Sequence, residues 1–138
     1  MNQKIGIAFG ILLFVALIGA TAFLPTSSAG DPWVVPEKYK KMKNPVKSDA
    51  ASIAAGKALY VKHCKSCHGS KGLGDGTKAA QLKTDCGNFS TADFQSQSDG
   101  SIFFKTNEGR DDMPSFKKKI PDETDVWSVV NYLRTLKK

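Results

Sequence analysis

The sequence predicts an all-α domain of three to five helices and long loops, over residues 49–138 of a 138-residue chain. Apolar residues recur at helical spacing near both ends of this region, and no segment alternates apolar and polar side chains long enough to build a sheet. The composition, 41% hydrophobic and 24% charged, is that of an ordinary globular domain. It excludes a disordered protein, a collagen-like repeat and a multi-span transporter.

Residues 1–29 are predicted to be a signal peptide or an N-terminal membrane anchor. Residues 5–24 carry no charge and follow a single basic residue, Lys4. A helix of this length reaches about 30 Å and could cross a bilayer, but small residues at 20–22 and 27–29 also suit a signal peptidase. Both alternatives predict an exported, periplasmic domain that is either soluble or anchored to the membrane.

Residues 30–48 are predicted to be a tether between that segment and the domain. Prolines and lysines favour a partly extended backbone there, namely Pro32, Pro36, Pro45, Lys38, Lys40, Lys41 and Lys43. The whole chain has a formal charge of +7, but its lysines are scattered and not interleaved with aromatic residues. This pattern favours an acidic protein partner or an anionic membrane surface over nucleic acid.

The helices are predicted from local signals. Asp49 is expected to cap a helix that runs to about His63, and Asp122 to cap a final helix over residues 123–136. Asp99 is expected to cap a short helix over residues 101–106. Residues 69–94 are rich in Gly, Ser, Thr, Lys and Asp, which predicts a loop with a short helix at 78–82. A loop of that length in a small domain is expected to wrap around something.

A five-residue motif, Cys64-Lys65-Ser66-Cys67-His68, indicates covalent attachment of a haem. Two thiols separated by two residues at a helix end can reach the two vinyl groups of the macrocycle. The histidine after the second thiol is then directed at the iron from one face. We therefore expect Cys64 and Cys67 to bind one haem c through two thioethers, and His68 to ligate its iron.

Three other chemistries remain open for this motif. A thioredoxin-type redox pair is expected within a βαβ pattern, which the sequence lacks. A structural zinc site needs about four ligands, and only His63 and Cys86 are spare. A disulfide between the two cysteines of the motif would leave its histidine without a role.

Met113 is the predicted sixth ligand of the iron. Met1 lies in the leader and Met42 in the tether, whereas Met113 precedes Pro114, which stiffens its loop, and Phe116, which could shield the sulfur. A thioether favours ferrous iron and raises the reduction potential. With both axial positions filled, the iron has no vacancy for a substrate. We therefore expect an electron-transfer protein and not an enzyme.

The domain resembles the class I c-type cytochromes, the small monohaem electron carriers of respiratory chains. The matching residues run from about Gly56 to Leu136 and comprise Gly56, Tyr60, Cys64-x-x-Cys67-His68-Gly69, Gly72-x-Gly74-Asp75-Gly76, Asn88-Phe89, Asp99-Gly100, Gly109, Met113-Pro114-x-Phe116 and Trp127-x-x-Val130-x-Tyr132-Leu133.

The resemblance implies a cytochrome c fold in which the first and last helices cross, with Gly56 and Tyr60 against Val129 and Tyr132. It also implies that His68 and Met113 are the axial ligands. In the family the haem edge is ringed by lysines that meet acidic patches on redox partners. The candidates here are Lys62, Lys65, Lys71, Lys83, Lys105, Lys117, Lys118 and Lys119.

Two residues and two functions stay open at this point. Cys86 stands where relatives often carry proline, and it could be buried and inert, join two chains or act in redox signalling. His63 is expected to be a helix-end residue and not a ligand. The alternatives to a diffusing carrier are a haem module of a larger membrane oxidoreductase complex and a haem enzyme or sensor with a displaceable sixth ligand.

Overall fold

The structure, a computed structural model, describes residues 32–138. Within that range it contains six α-helices: α1 (Glu37–Lys40), α2 (Ala50–His63), α3 (Lys65–His68), α4 (Ala92–Gln95), α5 (Asp99–Glu108) and α6 (Glu123–Arg134). No strand is present among these residues apart from an isolated bridge between Arg110 and Met113. The predicted all-α class is therefore confirmed, with one helix more than the three to five expected, because three of the six are single turns.

Between residues 32 and 138, no helix has the length and apolarity needed to cross a bilayer. The predicted signal peptide or anchor at residues 1–29 lies outside the described residues.

The core forms where α2 crosses α6. A Cβ atom added at Gly56 would overlap the Ser128 carbonyl and lie 2.9 Å from Val129 N, so only glycine permits this approach. One turn further on, the rings of Tyr60 and Tyr132 pack with centroids 5.1 Å apart. This is the crossing that the resemblance implied. It fixes the C-terminal end of α2, where the cysteine motif begins.

The caps of the two long helices are confirmed, and that of α5 is corrected. The Asp49 carboxylate accepts a hydrogen bond from Ser52 N at 3.0 Å, and the Asp122 carboxylate accepts one from Thr124 N at 2.8 Å. In α5 the cap is Ser98, whose hydroxyl accepts from Ser101 N at 3.2 Å. Asp99 instead binds the Arg134 guanidinium of α6 at 2.6 and 2.8 Å, a contact between distant residues that no local pattern reports.

The described part of the predicted tether packs against the domain. Val35 is only 6% exposed, and the Tyr39 ring lies 4.7 Å from that of Phe104 on α5. Asn44 donates to the Asn131 side chain at 2.8 Å and to the Trp127 carbonyl at 3.2 Å on α6. Residues of this segment contact α5 and α6, so the segment is packed as part of the folded domain.

Candidate functional site

Cys64, Cys67 and His68 lie on one tight turn. Cys64 lies between α2 and α3, as the C-cap of the first and the N-cap of the second, and its carbonyl accepts hydrogen bonds from Cys67 N at 3.1 Å and His68 N at 3.0 Å. Both cysteines are free thiols, so the alternative of a disulfide between them is not seen. Burial raises the pKa of the Cys64 thiol to about 12, with a further contribution from Cys67. The thiol is therefore neutral near pH 7.

A glycine-containing loop over residues 72–78 donates hydrogen bonds to the backbone of this turn. Gly76 N donates to the Cys67 carbonyl at 3.1 Å, Gly74 N to the His68 carbonyl at 3.0 Å, and Lys78 N to the Ser66 carbonyl at 2.8 Å. A Cβ atom on Gly76 would come within 2.5 Å of the Cys67 backbone. The segment predicted as a short helix at 78–82 forms a single 3₁₀ turn, Ala79–Gln81.

A cavity of about 380 Å³ opens in front of the turn. Cys64, Cys67, His68 and Met113 all line it, so the structure brings the four predicted site residues to one space. The apolar part of the wall comprises Leu82, Phe89, Phe94, Ile102, Phe116 and Leu133. The volume of the cavity lies within the range usual for cofactor sites. The groups that line it suit a porphyrin, since two thiols could attach the ring and a nitrogen and a sulfur atom could ligate its iron.

His68 is held as a neutral imidazole. Its ring stacks on that of Phe89 with centroids 4.5 Å apart. Burial lowers the pKa of His68, and a weaker interaction with the Cys86 backbone opposes the shift. The buried Nδ1 of His68 has no well-aligned hydrogen-bond partner among residues 32–138. A deprotonated nitrogen is what an iron ligand requires, so the burial of His68 fits the role predicted for it.

Met113 lies at the end of a four-residue hairpin. Met113 N donates to the Arg110 carbonyl at 2.9 Å and Arg110 N to the Met113 carbonyl at 2.8 Å. The tight return needs positive φ at Gly109 (68°) and at Asp111 (53°). Phe116, only 4% exposed, follows the hairpin and lines the same cavity.

Asp112 ties this hairpin to the opposite loop. Its carboxylate accepts hydrogen bonds from Lys83 N at 2.7 Å, Thr84 N at 2.9 Å and Thr84 Oγ1 at 3.1 Å. The backbone and hydroxyl donors of Thr84, together with the backbone donor of Lys83, lower the pKa of Asp112. The hairpin that carries Met113 is thus connected to the loop at Lys83 and Thr84, and Thr84 lines the same cavity.

His63 is the last residue of α2, as predicted, and borders the cavity. Its ring contacts that of Phe116 edge-on at 6.2 Å. Burial, Lys62 and Lys119 lower the pKa of His63. Residues 32–138 contain no cluster of three or more His, Cys, Asp or Glu that could hold a metal ion. The zinc alternative therefore has no support in this range.

Sequence reasoning missed Trp33 and Gln97, which both line the cavity. Two residues that the sequence had singled out without placing them in the site also line it: Lys105, and Cys86 as a free, half-buried thiol. Trp33 comes from the predicted tether, and nothing in the local pattern there signals a role in a site. Only the packing of that segment on α5 brings it to the cavity.

The chain matches a known protein family. The family model described as "Cytochrome C oxidase, cbb3-type, subunit III" matches residues 51–133. The comparison with curated proteins gives no significant match.

Three solved structures are similar. A chain of the Kuenenia stuttgartiensis reducing HAO-like protein complex Kustc0457/Kustc0458 is 27% identical with a TM-score of 0.62, over 68% of this chain and 47% of that chain. The KustC0563 c-type cytochrome is 34% identical with a TM-score of 0.53, over 60% of this chain and 98% of that one. A tyrosine-to-phenylalanine mutant of Kustc0563 is 32% identical with a TM-score of 0.51, over 60% of this chain and 99% of that one.

The present chain therefore spans less than half the length of the first of these structures and nearly all of the other two. The family match covers more than half of the chain, and the helical fold and the cysteine turn agree with it. The chain belongs to this cbb3-type subunit III family of class I c-type cytochromes, which transfer electrons through a covalently bound c-type haem.

Proposed function

We propose that the protein is a single-electron carrier of a respiratory or related chain, exported to the periplasm. In this proposal Cys64 and Cys67 form the thioethers, and His68 and Met113 are the axial ligands. The observation that carries it is that one cavity is lined by all four residues. When bound, the haem supplies a one-electron iron couple.

The protein's own part is to hold both ligands still. The His68 ring is fixed by its stacking on Phe89, and its backbone by the turn that Cys64 anchors. Met113 is fixed by its hairpin and by the hydrogen bonds of Asp112. Ligands that move little between redox states favour rapid electron exchange, and the apolar wall limits access of water. Because the thioether is a soft ligand, we expect a higher potential than bis-nitrogen ligation would give.

Substitution of Met113 by Leu tests the axial assignment, because leucine keeps the volume and removes the sulfur. The Met113→Leu variant should lose the iron–sulfur charge-transfer absorption and shift to a lower potential, while still binding haem covalently. Met42→Leu is the matched control, since Met42 packs against the core away from this cavity. A Met113→Leu spectrum identical to the parent would contradict Met113 ligation and favour an enzyme or sensor with a displaceable ligand.

Covalent attachment is tested on the purified full chain with an alkaline pyridine spectrum and intact mass. We expect one haem with both vinyl groups saturated. The mass also shows whether residues 1–29 are retained. A colourless chain with the mass of its amino acids alone would overturn the proposal.

The partner is proposed to be a redox protein with an acidic docking patch. The exposed lysines that support this are Lys62, Lys65, Lys71, Lys83, Lys118 and Lys119. Two other candidates are otherwise engaged, since Lys117 pairs with Glu108 at 2.6 Å and Lys105 donates to Gln97 at 2.5 Å. Electron-transfer rates with the partner should fall as ionic strength rises. Rates independent of salt would exclude electrostatic steering.

A second candidate function is that of a haem module within a larger membrane oxidoreductase complex. The family description names an oxidase subunit, and the first similar structure belongs to a protein complex. A retained N-terminal segment and co-purification with an oxidase or reductase would favour the module. A cleaved chain that purifies alone and reduces a partner at diffusion-controlled rates would favour the carrier.

A further inference from the structure

The predicted tether brings an aromatic ring to a pair of cations at the cavity. The Trp33 ring lies under the Arg110 guanidinium, at 4.8 Å from its centroid, and under the Lys105 ammonium, at 5.5 Å. Gln97 accepts a hydrogen bond from Lys105 Nζ at 2.5 Å. All four residues line the cavity that contains Cys64, Cys67 and His68.

This arrangement concentrates positive charge beside the cavity. Lys105 is half-buried, and within the described residues no carboxylate forms an ion pair with it. Arg110 pairs with Asp111 at 3.2 Å. Burial lowers the pKa of Lys105, and the neighbouring Arg110 charge lowers it further. Desolvating the Lys105 ammonium beside a second cation is costly unless an anion faces it.

The haem brings such an anion. Its two vinyl groups and its two propionate carboxylates lie on opposite edges of the macrocycle, so a haem attached at Cys64 and Cys67 presents its carboxylates away from those residues. Trp33, Lys105 and Arg110 line the same cavity and offer the hydrogen-bond donors of an indole, an ammonium and a guanidinium group. The ammonium and guanidinium groups form the strongest, charge-assisted hydrogen bonds to a carboxylate, and the indole adds a neutral donor.

We propose that Trp33, Lys105 and Arg110 form the binding site of the haem propionates, and that residues 32–36 thereby close one side of the haem cavity. The inference rests on the haem assignment above. In this arrangement the two cations stabilise the ionised carboxylates, the Trp33 ring holds both cations in place, and Gln97 positions Lys105. The buried Val35 anchors the segment that carries the ring.

The test uses the haem-loaded full chain and measures the midpoint potential as a function of pH. Lys105→Gln removes one charge and keeps most of the volume. It should shift the ferric–ferrous equilibrium toward ferric by about tenfold, which lowers the midpoint potential by 59 mV for one electron. It should also raise the pH at which ionisation of the propionates produces a bend in the plot of midpoint potential against pH. Trp33→Phe, which removes the indole N–H, should move the bend in the same direction by less.

Two controls separate this role from general effects. Lys78→Gln removes a cation that lines the cavity outside the cluster, and it should leave the bend where it is in the parent. Lys105→Arg keeps the charge and should restore the parent profile. Apart from this cluster and the predicted haem-binding residues, the charged or titratable groups that line the cavity are unaltered in the Lys105 variants; they are His63, Lys78, Asp85, Cys86, Asp111, Asp112 and Lys119.

The proposal is overturned if the profiles of Lys105→Gln and Trp33→Phe superimpose on that of Lys78→Gln. It is also overturned if Lys105→Arg behaves like Lys105→Gln, because the effect would then be structural and not electrostatic. A parent protein without covalent haem would instead refute the function proposed above, so the two failures are distinguishable.

Discussion

Gly56→Ala tests the crossing of α2 and α6 most directly, because two effects of opposite sign compete at this position. Alanine is the better helix former, and by helix propensity alone the substitution would stabilise the protein by about 1 kcal/mol. Its methyl group, however, would lie 2.5 Å from the Ser128 carbonyl carbon and 2.9 Å from Val129 N.

The structure indicates that steric overlap exceeds the gain in propensity. Ordinary contact begins near 3.4 Å, so the helices would have to separate by roughly 1 Å. The opposing atoms belong to backbone and cannot rotate away as a side chain would. Overpacking of this kind costs about 3 kcal/mol. We therefore expect a net loss of about 2 kcal/mol in the free energy of unfolding, or roughly 10 °C in Tm.

Urea denaturation of the haem-loaded protein, followed by circular dichroism, measures the change. The midpoint should fall at an unchanged m value. Ala54→Gly is the matched control, since Ala54 is exposed on the same helix and should lose only about 1 kcal/mol from propensity. A Gly56→Ala protein as stable as the parent, or more stable, would refute the close crossing.

Two further predictions concern the backbone on either side of the cavity. Tyr60→Phe removes the hydroxyl that donates to the Gly69 carbonyl at 2.7 Å and should cost about 1–3 kcal/mol in urea denaturation at pH 7. Burial raises the pKa of Tyr60, so its neutral form stabilises the fold fully below about pH 10 and this contribution is lost as the pH rises further. Above that pH the parent should lose more stability than Tyr60→Phe. Equal losses would exclude ionisation of Tyr60 as the cause of the destabilisation. Gly109→Ala places a Cβ atom 2.5 Å from Met113 O at a φ of +68°, so it should displace the hairpin and weaken the iron–sulfur absorption, whereas an unchanged spectrum would show that the hairpin does not position Met113.

Local signals predicted the starts of α2 and α6 correctly, whereas α6 ends at Arg134, two residues before the predicted end at 136. Asp49 and Asp122 cap α2 and α6 because the bonds that they make span only two or three residues. The cysteine turn was equally predictable, because its spacing alone places both thiols and His68 at one helix end. These features depend on neighbours in sequence, which is why a pattern could report them.

Contacts between distant residues were not predictable in the same way. The role of Asp99 is decided by Arg134, thirty-five positions away, and Ser98 takes the cap instead. The single turns α1 and α4 are too short to show a period. Cys86 and Trp33 reach the cavity only because loops fold over it, and the proline and lysine content of residues 30–48 concealed the packing of that segment.

The docked position of Trp33 limits how far the haem domain could travel. Trp33 follows Leu24, the end of the apolar stretch, by nine positions, and nine extended residues span at most about 30 Å. In a chain that keeps residues 1–29 as a membrane anchor, the cavity would stay within about that distance of the lipid surface. Such a domain could pivot between neighbours in the same membrane plane, but it could not shuttle across the compartment.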